Sequence, residues 1–135
     1  IGTALKEKNP STRVISVQSE EAPCMTYSFH EKKPVNTDSC NTFAGGIAVR
    51  VAIPQAVDLM LDVVDDAILV SENDLKKAMG LFLKNVGVLV EGAGAAALAG
   101  ALKLKDDLKG KSICLLATGC NVDSFLEQEI LRDYV

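Results

Sequence analysis

Tryptophan is absent from this 135-residue chain, tyrosine occurs twice and phenylalanine four times. So few rings cannot build a stacking platform for bases. The 14 Lys and Arg against 18 Asp and Glu give a net charge of −4, with no basic cluster among them. Both features argue against nucleic acid as a partner. Histidine occurs once, at His30, and Cys24, Cys40, Cys114 and Cys120 form no Cys-x-x-Cys pair, so the usual ligand sets of a zinc site are missing. Irregular cysteine spacing fits reduced thiols in a cytoplasmic protein better than a disulfide framework. The longest apolar run, from Ala93 to Leu102, is roughly half of what a bilayer span requires and is mostly alanine and glycine, so no membrane partner is expected. Ile1-Gly2-Thr3-Ala4 carries neither the basic nor the apolar region of a secretory signal and lacks Met, the pattern expected of a chain that begins inside a longer protein or was processed.

What remains is an ordinary globular composition, 48% apolar and 24% charged, enough for one hydrophobic core over residues 1 to 135. Thr3 to Lys8 has the character of a helix end. Asn9-Pro10-Ser11 then turns into the β-branched run Thr12 to Val17, predicted as a strand. A short helix is expected over Glu21 to His30, with Pro23 in its first turn, and a polar surface loop over Glu31 to Asn41. Pro54 opens a helix with Ala56, Leu59, Met60, Val63 and Val64 at helical spacing, followed by a strand at Ala67 to Val70. Ser71 and Asp74 resemble a capping box for a helix whose apolar face is Leu75, Ala78, Met79, Phe82 and Leu83, ending at Gly87. Ser112 to Ala117 is a continuous apolar run, predicted as a strand buried on both faces of a parallel sheet. Asp123 or Ser124 caps a last helix with Phe125, Leu126, Ile130 and Leu131 as its apolar positions. Strands alternating with helices imply an α/β layer architecture, with ligands at the C-terminal ends of the strands.

Two segments stand out chemically. Thr118-Gly119-Cys120-Asn121 follows the apolar run and sets a hydroxyl, a glycine and an amide just beyond it. Val90-Glu91 leads into Gly92-Ala93-Gly94-Ala95-Ala96-Ala97-Leu98, where small residues permit close approach of a planar ligand or of another backbone. Each has a plainer explanation. A Thr-Gly pair after a strand is ordinarily a turn, the Ala/Gly run can serve tight helix packing, Glu91 suits the positive end of a helix dipole, and Asn121 can hold its own loop. His30 at the edge of a polar loop reads as solvated, the cysteines as small apolar side chains, and Lys103 to Lys111 as a solvated turn.

Taken in order, Val14 to Glu20, Thr42 to Val49, Val64 to Ser71, Val90 to Leu98 and Thr118 to Asp123 resemble the C-terminal portion of fold-type-II pyridoxal-phosphate enzymes, in the threonine/serine dehydratase branch. That resemblance implies an α/β fold: part of the large domain of a tryptophan-synthase-beta-like enzyme, a parallel sheet of few strands flanked by helices. Matched residue by residue, Thr118 takes the position whose hydroxyl meets the pyridine nitrogen, Glu91 a carboxylate near the ring, and Gly119 and Asn121 the loop beside it. A hydroxyl there leaves the ring nitrogen unprotonated, which favours β-elimination over chemistry needing a stronger electron sink.

The departures are as informative. The family's Ser-x-Lys-x-Arg segment, source of the Schiff-base lysine, and its Gly-rich phosphate cup are both absent from this sequence; Ile1 to Ala4 looks like the stretch just after the cup. Gly45 stands where relatives carry Asp or Glu, and Cys120 where they carry Gly. Gln18 and Cys24 fall on positions that supply carboxylate metal ligands in racemase-like members, so no divalent metal is predicted there. The resemblance therefore implies a C-terminal fragment of an L-threonine/L-serine dehydratase, inactive alone and with no catalytic residue of its own. The full enzyme would be a homo-oligomer acting on a small amino acid. A serine racemase or threonine synthase-like enzyme, or a non-catalytic binding or oligomerisation module, remain alternatives.

Overall fold

A computed structural model describes residues 1 to 135. Helix α1 (Gly2–Lys8) leads into strand β1 (Ile15–Ser19), helix α2 (Cys24–Glu31) and a 3₁₀ turn at Gly45–Ile47. Helix α3 (Pro54–Val63), strand β2 (Asp66–Val70), and helices α4 (Glu72–Val86), α5 (Gly92–Lys103) and α6 (Ser124–Asp133) complete the chain. The sheet has two strands, β1 and β2, paired parallel from Ile15 opposite Asp66 to Ser19 opposite Val70. Parallel neighbours need a long crossover. Here it runs through α2, the 3₁₀ turn and α3, and so delivers Thr42 to Ile47 past the C-terminal end of β1.

Local chemistry explains where the helices begin and end. Pro54 opens α3 at a position where its missing N–H is no loss. Ser71 caps α4 in a full capping box: its side chain accepts from the Asp74 amide at 3.1 Å, and the Asp74 carboxylate accepts from the Ser71 amide at 3.2 Å. Gly87, at φ +72°, closes α4 in the left-handed conformation that side chains disfavour. Asp123 caps α6 by accepting from the amides of Phe125 and Leu126, both at 2.9 Å.

The core lies between α4, α5, α6 and β2. Leu75, Ala78 and Met79 from α4 meet Ala95, Ala96 and Ala99 from α5, with Val70 and Ile130 closing the ends. The Ala/Gly run is used for close packing. A Cβ on Gly100 would collide with Val17 of β1, one on Gly92 with the Phe43 ring, and one on Gly94 with the Thr118 carbonyl. Small residues therefore let α5 lie against the sheet, the Thr42–Ile47 loop and the 118–119 loop at once.

Several expectations need correction. Ser112 to Ala117 is not a strand: no strand of this chain lies beside it, and its side chains are exposed, Ile113 by 50% and Leu116 by 47%. An apolar run forms a buried strand only where neighbouring strands satisfy its backbone and cover both faces, and this chain supplies neither. In α3, Val57 and Met60 are buried while Ala56 is exposed and Leu59 is 55% exposed, so the inward stripe is rotated from the one predicted. In α6 only Ile130 is buried, and Phe125 is 81% exposed. Cys114 and Cys120 are likewise exposed, unlike Cys24. No helix is long and apolar enough to cross a membrane.

Candidate cofactor-facing site

Glu91 is the N-cap residue of α5, in extended conformation directly after Val90. Its amide donates to the Gly119 carbonyl at 3.1 Å, which draws the 118–121 loop onto the start of the helix. Gly119 has φ +67°, and a Cβ there would strike the Glu91 carboxylate, so the carboxylate lies directly over bare glycine backbone. From the adjacent residue, the Thr118 carbonyl packs on Gly94. Gly46 approaches from the other side, where a Cβ would lie 3.4 Å from Glu91 Oε1 and against Ala93.

Beside this corner is a cleft of about 480 Å³. Glu91 and Asn121 line it, together with Phe43, Lys76, Asp123 and Glu129. Gly119 abuts Glu91 and Thr118 abuts Gly94, neither lining the cleft, and Thr118 is exposed. The four residues singled out from the sequence thus lie around the start of α5, two on the cleft wall and two on the adjoining exposed loop. Sequence reasoning did not single out Lys76 and Glu129, which form an ion pair at 2.6 Å across α4 and α6 with the Lys76 ammonium 5.7 Å from the Phe43 ring centroid. Their partners lie 53 residues apart, so no local pattern could have paired them.

Residues 1–119 match the family model described as pyridoxal-phosphate dependent enzyme. The chain belongs to that family. An L-threonine ammonia-lyase of Geobacter sulfurreducens is 38% identical over 91% of this chain, which spans 31% of that relative's length. The processed form of threonine deaminase isoform 2 from Solanum lycopersicum superposes with a TM-score of 0.86 at 27% identity, over 96% of this chain and 38% of that one. Maize serine racemase gives 0.84 at 29% identity, over 97% and 42%. The chain therefore spans 31% to 42% of the length of these relatives, as a part of a fold-type-II pyridoxal-phosphate enzyme with a small parallel sheet flanked by helices.

Pyridoxal phosphate makes two demands on its site: a flat edge with a hydrogen-bonding partner for the ring nitrogen, and donors for the phosphate. The corner carries groups of the first kind: Thr118, an exposed residue bearing a hydroxyl, bare backbone at Gly119, and the Glu91 carboxylate and Asn121 amide on the cleft wall. It does not offer the second. The N-terminus of α5, otherwise an anion site, has the Phe43 ring packed on Gly92, and Lys76 is engaged by Glu129 among the carboxylates of Glu91 and Asp123.

The positions compared above with metal ligands are occupied by hydrogen bonds within the protein. Buried Gln18 accepts from the Thr26 amide at 2.9 Å and the Thr26 hydroxyl at 3.2 Å, and donates to the Ile47 carbonyl at 3.4 Å. The Cys24 thiol donates to the Val35 carbonyl at 3.2 Å, and burial pushes its pKa up, which disfavours the thiolate a metal would need. His30 is exposed, but its Nε2 lies 2.9 Å from the Ala67 carbonyl and so ties α2 to β2.

Proposed function

We propose that this chain forms the ring-facing wall of an L-threonine/L-serine dehydratase, which converts its substrate to a 2-oxo acid and ammonia by β-elimination of water. The observation that carries the reading is the meeting of Glu91, Thr118-Gly119 and Asn121 at the start of α5. The threonine ammonia-lyase and threonine deaminase relatives supply the reaction class.

When bound, pyridoxal phosphate supplies the electron sink that makes loss of the α-proton and the β-hydroxyl possible. Thr118 would donate its hydroxyl proton to the pyridine nitrogen and hold it as a neutral acceptor. Glu91 would stand beside the ring, its position fixed by Gly119 beneath it and by the hydrogen bond its backbone amide donates to the Gly119 carbonyl. Asn121 would stand beside the ring-nitrogen site, on the cleft wall it shares with Glu91. None of the lysines here lies in the Schiff-base context, and the one on the cleft wall, Lys76, is taken up by Glu129. The lysine and the phosphate donors therefore belong to a part of the protein outside these residues, and the chain by itself is inactive.

Four free cysteines support a reducing compartment, the cytoplasm, and exposed apolar side chains at Ile113, Leu115 and Leu116 support a larger assembly around this wall. The test is an assay of the full-length gene product, loaded with pyridoxal phosphate, on L-threonine. Formation of 2-oxobutyrate and ammonia is the expected result; bound cofactor with no keto acid overturns it. The likeness to maize serine racemase favours a second reading, racemisation of serine, which the same preparation would reveal as D-serine formed from L-serine.

A further inference from the structure

Glu72 opens α4, where an acidic side chain ordinarily does no more than face the helix dipole. In this fold its carboxylate reaches across to two other segments. Oε1 accepts hydrogen bonds from the Ser19 hydroxyl, at the end of β1, and from the Thr42 hydroxyl at 2.8 Å. Oε2 accepts from the Phe43 amide at 3.0 Å. Both hydroxyls pass the link on, since Ser19 Oγ accepts from the Glu21 amide at 2.9 Å and Thr42 Oγ1 accepts from the Ala44 amide at 3.0 Å. Every group facing this carboxylate is thus a donor. The Phe43 amide can only donate and each hydroxyl already accepts one backbone amide, so a side chain that accepts at both oxygens suits the three donors, whereas the NH₂ of a Gln must displace at least one of these bonds.

The segment so held is the one that packs on the candidate site. The Phe43 ring lies on Gly92, Ala44 is buried in the core, and Gly46 abuts Ala93 and the Glu91 carboxylate. From this chain of contacts we infer that Glu72 is a positioning residue: it fixes the Thr42–Gly46 loop against the start of α5 and so sets where the Glu91 carboxylate stands. The inference rests on the proposed role of Glu91 beside the cofactor ring. The structural half of it, the coupling of Glu72 to residues 42–46 and 91–93, stands apart from any activity.

The test is Glu72→Gln in the full-length gene product loaded with pyridoxal phosphate, followed by amide hydrogen exchange and by circular dichroism in the cofactor's visible band. Losing one charge-assisted hydrogen bond should raise exchange over residues 42–47 and 91–95 by about tenfold or more, with α1 and α3 unchanged. The cofactor band should change in amplitude as its neighbouring carboxylate shifts. Unchanged exchange over 42–47, or an equal rise in α1 and α3, overturns the coupling. Altered exchange with an unchanged cofactor band overturns the positioning role while leaving the dehydratase assay to stand or fall separately. Should Glu72→Gln fail to fold, Thr42→Val removes one arm of the link and should loosen the same two segments less, with Thr42→Ser restoring them. Identical exchange in Thr42→Val and the parent protein overturns the inference.

Discussion

A methyl group on Gly94 would fall inside the contact radius of the Thr118 carbonyl oxygen, and one on Gly119 would fall inside the Glu91 carboxylate. These two glycines are what allow the helix, the loop and the acid to share one corner. Gly94→Ala pits a new Cβ against backbone, which cannot rotate away. We expect it to destabilise the protein by about 1–3 kcal/mol in urea unfolding, with the 118–119 loop displaced; an unshifted midpoint would mean that the loop yields freely. At this scale the sequence was partly legible. Glu91, Thr118, Gly119 and Asn121 stand in short motifs that have plainer explanations alone and become site candidates through the family resemblance. Glu72 stands in an equally short motif that points only to a helix start. Its partners Ser19 and Thr42 lie 53 and 30 residues away, and nothing local to any of the three marks the meeting.

Helix α4 shows how far an element can be derived from its own residues. Ser71 and Asp74 at capping spacing, an apolar stripe through Leu75, Ala78 and Met79, and a terminal glycine are all local, and all appear as expected. The Asp74 carboxyl is held below the usual carboxylate range, first by the Ser71 hydroxyl and then by the Ser71 amide, against an opposing effect of burial. A depressed folded-state pKa means that this group stabilises the fold fully above its ordinary value and loses that contribution as pH falls through the depressed one. Ser71→Ala should therefore cost about 1 kcal/mol near neutral pH, and the difference from the parent should shrink below about pH 4. Denaturant unfolding at both pH values checks this; a constant difference would place Asp74 outside the cap energetics. The Ser112 to Ala117 run marks the limit of such reasoning. Its apolar pattern is that of a buried strand, but backbone pairing is a relation between segments, and no neighbour is present in this chain to complete it.

Across the whole molecule, the exposed surface carries information that the core does not. Ile113, Leu115 and Leu116 are exposed on one segment, with Cys114 between them. If the chain is the wall of a larger catalytic domain, that segment is covered there. Cys114 should then react readily with a thiol reagent in the chain produced alone and markedly more slowly in the full-length gene product. Equal rates in the two would argue against coverage and for a free-standing module.

Residue types and their short-range spacing by themselves determined the caps of α4 and α6, the start of α3, the approximate positions of the two strands and the family resemblance, because caps, turns and amphipathic periods are set by neighbours within a few positions. Only the tertiary structure decided that the small residues of α5 serve close packing on three sides, that Glu72 ties β1 to the Thr42–Gly46 loop, that Lys76 is engaged by Glu129, and that the last apolar run lies bare. Each of these depends on groups brought together from distant parts of the chain, and the free energy of such a meeting is settled by the geometry of both partners rather than by either sequence context alone.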